Sequence, residues 1–346
     1  WTWGTDAGLR RDLADRWLHD FSWPDQAAAL DAALPSTIRT VGELTIHSAH
    51  RPGVGPDPLP LALLHGWPSS FAEMVELADL LADPGRHGAD PADAFDVVVP
   101  SLPGHGFSST PADPRFGADD AADVVRRLMT EVYGYERFGA HGGDRGAFVC
   151  SGLGARHADV TTGIHLTLPR GLPADPPTAE EAAWLTEQGA YLAEEGGYIA
   201  IQGTRPQTLA FGLNDSPVGL LSWIVEKWRN WSDCDGDLRR AFSDDEVLVN
   251  ATIYWLTGTI RSSMHWYWAH RNAPPSAVLP VRIDCPTGVA AFPHEVVHVP
   301  RSAVARKYDL RRWTPMPAGG HFAQLEAPGP LAEEIRAFFR PLRQGS

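Results

Sequence analysis

Six residues near the middle of the chain, His141-Gly142-Gly143-Asp144-Arg145-Gly146, have the types and spacing to do chemistry. An apparent strand at 137–140 precedes them, and a stretch able to form a helix, 147–155, follows. Glycines on both sides of Asp144 give the pattern of a nucleophile elbow. This is a strand-to-helix turn too tight for larger side chains, and it lifts one residue to the top of a sheet. The residue lifted here is a carboxylate, where an esterase carries Ser. A carboxylate attacking an ester would give an anhydride, a poor intermediate. Attack on a saturated carbon with a strained or good leaving group gives an ordinary ester that water can hydrolyse. Epoxides and alkyl halides are the two substrate classes that fit.

Such a nucleophile needs a water-activating His, an acid to orient it and donors for an oxyanion. In folds built on this elbow the chain order is nucleophile, acid, His. Gly319-Gly320-His321-Phe322 lies past an expected strand and before the last helix, where that His belongs. Asp284 and Glu295 both fall near the end of the preceding strand, and fold rules alone do not choose between them. His65-Gly66-Trp67-Pro68 is the turn leaving an earlier strand, so the backbone N–H groups of Trp67 and Arg145 are the expected oxyanion donors. An opening epoxide oxygen needs a proton donor, and Tyr191, Tyr198, Tyr254 and Tyr267 are the tyrosines placed to supply one. A halide would call on Trp beside the nucleophile, and that position holds Arg145.

The elements that must position these groups alternate as in an α/β fold. Leu9, Leu13, Trp17 and Phe21 recur at helical spacing, and 27–34 reads as a second helix capped by Asp25. A hairpin is expected over 37–47 and a Pro/Gly-rich loop over 51–60. Strands then read at 61–64, 97–99, 137–140 and 164–168, with helices at 71–81 and 119–133 between them. From 169 to about 275 the strand rhythm stops and the chain is helical and Trp-rich, as an inserted cap would be. It resumes with strands at 278–283 and 309–316 and a helix at 330–339. The division expected is an N-terminal extension at 1–58, core at 59–168, cap at 169–275 and core again at 276–346.

Composition narrows the function classes. The 346 residues suffice for one large α/β domain with an insertion. A net charge of −14 argues against nucleic acid or an anionic membrane as partner. Three scattered cysteines suggest neither a disulfide framework nor a metal cluster. No apolar run approaches the roughly 20 residues of a membrane span, and no signal peptide is visible, so a cytoplasmic location is expected. Neither a metal nor an organic cofactor is called for.

The chain resembles the microsomal-type epoxide hydrolases, α/β-hydrolases with an N-terminal extension. The matching stretches run from end to end: His65 to Ser70, Ser101 to Ser108, Gly142-Gly143-Asp144, Gly197-Tyr198-Ile199-Ala200-Ile201-Gln202, Gly212 to Leu220, Thr257 to Ile260, Phe292-Pro293-His294-Glu295 and Gly319 to Phe322. The resemblance implies a mostly parallel sheet flanked by helices, with a helical cap. It implies Asp144 as nucleophile, Glu295 as the acid, His321 as base, and Tyr198 and Tyr267 as holders of the epoxide oxygen. The chain opens at Trp1 without Met, so only part of the extension is expected. The implied partners are a small epoxide, bulky or aryl, and water, with a homodimer allowed. Bacterial secondary metabolism is a compatible setting. A haloalkane dehalogenase and a non-catalytic ligand-binding relative are the alternatives. One residue departs from the family pattern. Arg145 stands where Trp is common, and its side chain is expected to reshape the pocket or pair with an acid rather than meet substrate.

Overall fold

The computed structural model describes residues 1–273 and 282–345. At its centre lies an eight-stranded sheet: β1 (Ser36–Val41), β2 (Leu44–Arg51), β3 (Leu59–Leu64), β4 (Phe95–Pro100), β5 (Phe138–Gly142), β6 (Thr161–Leu166), β7 (Ile283–Ala291) and β8 (Tyr308–Pro315). The strand order is β1-β2-β4-β3-β5-β6-β7-β8. The β1–β2 hairpin adds antiparallel to β4, and the strands from β4 to β8 run parallel. Leu61 to Leu64, Val97 to Val99 and all of β6 are buried, which is why the first two read as continuous apolar runs rather than alternating ones.

Helices cover both faces. On one, the helices Ala118–Arg127, Asp144–Arg156 and Arg301–Lys307 pack through Val125, Leu153 and Val304. On the other, Val75–Ala82 and Pro328–Phe339 pack through Leu77, Leu81, Ile335 and Phe339. Between β6 and β7 six helices form a separate layer: Ala179–Glu194, Gly197–Thr204, Pro206–Asp215, Pro217–Asn230, Asp244–Thr257 and Ile260–Arg271. Ala179–Glu194 packs through Trp184 onto the core of the sheet, while the last five share a core that includes Leu220, Ile224, Trp228, Leu248 and Tyr254. The first helix, Ala7–His19, joins that core through Leu13. Arg16 holds Asp245 by two bonds of 3.1 and 2.8 Å, and Trp17 donates to Thr252 at 2.9 Å. Phe21, in the link that follows, and Trp23 and Leu30, from the next helix, Trp23–Ala33, pack against the core of the sheet, so the N-terminal segment ties cap to sheet. No described helix is long and apolar enough to cross a membrane.

Several boundaries differ from the sequence expectation, each for a local reason. The second helix is Trp23–Ala33, capped at Ser22 and started by Pro24, a residue suited to a first turn, rather than capped at Asp25. The expected helix at 119–133 continues past Arg127 as a π-helical turn. The expected strand at 278–283 lies, up to 281, outside the described residues, and the strand seen is β7. The elbow helix begins at Asp144 itself, not at 147.

At that turn the chain has almost no space. A β-carbon on Gly142 would sit 2.6 Å from the Gly146 carbonyl carbon, and one on Gly146 would collide with the Leu64 carbonyl. Gly189, by contrast, has nothing within 4 Å of where a β-carbon would point. Gly146→Ala is therefore expected to destabilise the fold by about 2–3 kcal/mol, and Gly189→Ala, within the helix Ala179–Glu194, to stabilise it by about 0.5–1 kcal/mol. Denaturant midpoints of the two variants check this; equal midpoints would refute the packing argument.

Candidate active site

Asp144 takes φ +42, a left-handed conformation rare for a residue with a side chain. Such strain persists only where the surroundings impose it. Here β5 enters from one side and the helix Asp144–Arg156 leaves from the other, with Gly142, Gly143 and Gly146 clearing the space. The turn aims the carboxylate at the loop after β3. There the Trp67 amide donates to Asp144 Oδ1 at 2.8 Å. Gly66 is required as well, because a β-carbon there would overlap Asp144. Tyr254 and Asn250, from the cap, donate to the carbonyls of Ser69 and Pro68 at 2.9 and 2.8 Å and hold this loop in place. The first bond of the elbow helix runs from the Ala147 amide to Gly143. The Arg145 amide thus belongs to the first turn, where amides have no intrahelical acceptor and favour an anion.

His321 stands across from Asp144, its Nε2 3.9 Å from Oδ2. Its Nδ1 bonds Glu295 at 2.6 Å. Glu295 accepts from the Val296 amide as well, at 2.7 Å, and is buried. The loop carrying His321 is clasped from two directions. Its own amide donates to the Trp231 carbonyl at 2.9 Å, and the Gly319 amide donates to Asp233 at 2.9 Å, both in the cap. His294, from the acid loop, donates its amide to Gly319. Gly319 at φ +104 supplies the bend. Burial opposes a charge on His321, but the Glu295, Asp144 and Glu73 carboxylates outweigh it and raise the imidazole to about 9.

Tyr198 and Tyr267 reach the same space from two cap helices, Gly197–Thr204 and Ile260–Arg271. Their rings meet edge to face with centroids 5.8 Å apart. Trp67 stacks on Tyr198 at 5.6 Å and meets Tyr267 edge-on at 5.5 Å, which fixes both rings. Burial raises both phenols, so they remain protonated donors at neutral pH. Asp144, Arg145, Tyr198, Tyr267 and His321 together line a cavity of about 420 Å³.

The structure thus brings Asp144, Glu295, His321, Tyr198, Tyr267 and the Trp67 and Arg145 amides to one place. It does not bring Asp284. β7 begins rather than ends near that residue, so Asp284 lies at the opposite end of the strand from the site, its side chain 84% exposed and paired with Arg282. Of the two expectations for the Arg145 side chain, a place in the pocket wall or a pairing with an acid, the structure shows the first. Among the described residues the side chain pairs with no acid; it lies instead with its Cζ 3.8 Å from the Tyr267 ring centroid.

Two further groups were not anticipated. Trp231 stands edge-on to His321 at 5.0 Å. Glu73 is fully buried behind the site, bonded by Ser69 at 2.6 Å and Gln324 at 3.2 Å, and burial lifts its carboxyl to about 7. A carboxylate on the apolar flank of 71–81, beside Met74 and Leu77, was the available sign of Glu73.

Comparison with known proteins agrees with this architecture. Residues 1–74 match the family model described as epoxide hydrolase N terminus, and 60–209 match that of the alpha/beta hydrolase fold. Epoxide hydrolase 1 of Oryctolagus cuniculus is 34% identical, over 97% of this chain and 80% of its own. Epoxide hydrolase 1 of Sus scrofa is also 34% identical, over 99% of this chain and 82% of its own. The structure of Aspergillus niger epoxide hydrolase matches with a TM-score of 0.84 at 32% identity, covering 99% of this chain and 87% of that one. Juvenile hormone epoxide hydrolase from the silkworm Bombyx mori matches with 0.88 at 27% identity, with the same coverage. A chain so similar over nearly its whole length to enzymes of one activity belongs with them: it is a member of the epoxide hydrolase family with the α/β-hydrolase fold, a hydrolase acting on epoxides.

Proposed function

We propose that the chain opens a bulky or aryl epoxide to a vicinal diol in two steps, through an ester on Asp144. The observation that carries this reading is the 3.9 Å gap between His321 Nε2 and Asp144 Oδ2. A Ser nucleophile would need His within hydrogen-bond distance to take its proton. A carboxylate is already a nucleophile, so the base can stand off and leave room for water.

In the first step, Tyr198 and Tyr267 donate to the epoxide oxygen and Asp144 attacks a ring carbon from the opposite side. The C–O bond of the ring breaks, and the alkoxide takes a proton from a tyrosine. In the second, His321 removes a proton from water, which attacks the ester carbonyl. The Trp67 amide, already on Asp144 Oδ1, and the Arg145 amide hold the oxyanion. Collapse expels the second diol oxygen, which takes back the proton held by His321, and the proton left on the re-formed Asp144 carboxyl group returns to the tyrosinate, so diol, carboxylate and phenol are all restored. The aromatic walls of the cavity, Phe148, Tyr191 and Trp231, support a bulky substrate.

Charge supplies the timing. In the free enzyme the surrounding carboxylates favour imidazolium. Ester formation removes the Asp144 charge, so His321 gives up its proton more readily when a base is needed. Sign follows from this: ester hydrolysis should speed up as pH rises through an imidazole value below about 9, while ester formation should not.

Asp144→Asn should form no diol. In heavy-oxygen water, a single turnover of the wild type should leave the label in Asp144 and none in the diol; label passing straight from water into diol would overturn the ester. His321→Gln should accumulate the ester, seen as the substrate's mass added to the intact protein, with its decay slowed by about 10²–10⁴-fold. Loss of the adduct at the wild-type rate would remove His321 from the base role. Single-turnover rates across pH check the charge argument; an ester hydrolysis rate that does not rise with pH would refute it.

A further inference from the structure

The cavity has a cationic wall that the two-step reaction does not use. Arg145 is only 6% exposed, lines the cavity, and keeps its Nε buried without a hydrogen-bond partner. Its Cζ lies 5.6 Å from the Phe148 ring centroid, and the Arg170 Cζ lies 4.3 Å from the same ring. His270 stacks on Phe148 with centroids 6.0 Å apart, and Arg271 also lines the cavity. Among the described residues neither Arg145 nor Arg170 has a carboxylate within ion-pair distance. Asp119 and Asp144 act on them only from farther away.

Burial opposes the Arg145 charge, but Tyr267 and the Asp144 carboxylate more than offset it, so the guanidinium stays charged. Burial, then the Arg145 and Arg170 charges, push His270 down to about 4, so that it stays neutral. Arg170 is lowered by burial and by Arg145. Arg145 is the buried guanidinium on the cavity, whereas Arg170, over Phe148, is half-buried and outside its lining, and Arg271 is exposed; a buried guanidinium facing a cavity is costly unless an anion meets it. A wall of this sign is also out of keeping with a chain whose net charge is −14. Arg offers a planar fork matched to a carboxylate.

We propose that this cavity takes an epoxide that carries a carboxylate, with the Arg145 guanidinium as its contact and Arg170 and Arg271 adding to the field. The inference rests on the epoxide hydrolase reading for its substrate class and on the cationic wall for the anion. The carboxylate docks against Arg145 while the ring oxygen faces Tyr198 and Tyr267. The arginine over Tyr267 then selects the substrate as well as packing the site.

Binding is tested apart from turnover, using calorimetry with hydrocinnamate and its neutral counterpart, hydrocinnamyl alcohol. The wild type should bind the carboxylate about tenfold or more tightly than the alcohol. Arg145→Met should abolish that preference, and Arg145→Lys should keep part of it. In turnover, the wild-type preference for phenylglycidate over phenylglycidol in kcat/KM should fall by a similar factor in Arg145→Met. Equal wild-type binding of the two probes overturns the proposal, whether or not the variants fold. Turnover of styrene oxide with equal probe binding would sink this inference and leave the hydrolase reading standing. Preferential carboxylate binding with no diol from phenylglycidate, phenylglycidol or styrene oxide would overturn the hydrolase reading, and with it the epoxide part of this inference, and leave the anion site alone standing.

Discussion

The hydrogen bond from the Trp67 amide to Asp144 joins two turns that the sheet brings side by side. β3 and β5 are parallel neighbours, so the loops leaving their ends emerge together. Asp144 reaches the bond only by taking a positive φ, a strain of about 1–3 kcal/mol. Gly66, Gly142 and Gly146 leave no room for the backbone to relax elsewhere. Removing side chains on both sides of Asp144 is therefore what lets the turn aim its carboxylate.

Around that bond the site is a balance of buried charges. Asp144, Glu295 and Glu73 are the acids, and His321 and Arg145 the bases. Removing one partner of such a set leaves another uncompensated, at a cost of about 3–5 kcal/mol. The two loops of the site are tied through Glu73 as well, since it accepts from Ser69 in one and from Gln324 beside His321 in the other. Its carboxyl, raised to about 7, is the buried acid of the set placed to change charge near neutrality.

Much of this was legible in the sequence because it rests on local rules. The elbow needs glycines at fixed offsets from Asp144, and parallel strands buried on both sides need unbroken apolar runs such as Leu61 to Leu64. The Trp67 turn and the His321 loop follow strands at the places the fold assigns them. What escaped depended on strand direction and on three-dimensional packing. By fold rules alone Asp284 and Glu295 were indistinguishable, because either could follow a strand ending near 283; the likeness to known proteins pointed to Glu295, and the start of β7 supplies the physical reason. The Tyr198 and Tyr267 pair rested on a likeness to known proteins, since no spacing rule links residues on two cap helices. The stacking of Arg145 on Tyr267 and the burial of Glu73 arise between distant elements and leave no periodic trace.

The carbonyl of Trp231 and the carboxylate of Asp233 hold the amides of His321 and Gly319. The cap does more than cover the hydrolase core. In this chain it also furnishes part of the mounting for a residue the core contributes. Trimming the cap, or exchanging it for that of a relative, would strip two hydrogen bonds from the base-bearing loop even with every core residue intact. Cap and core are therefore not separable modules, and diversification of the cap is constrained at 231–233 whatever substrate its other walls come to fit.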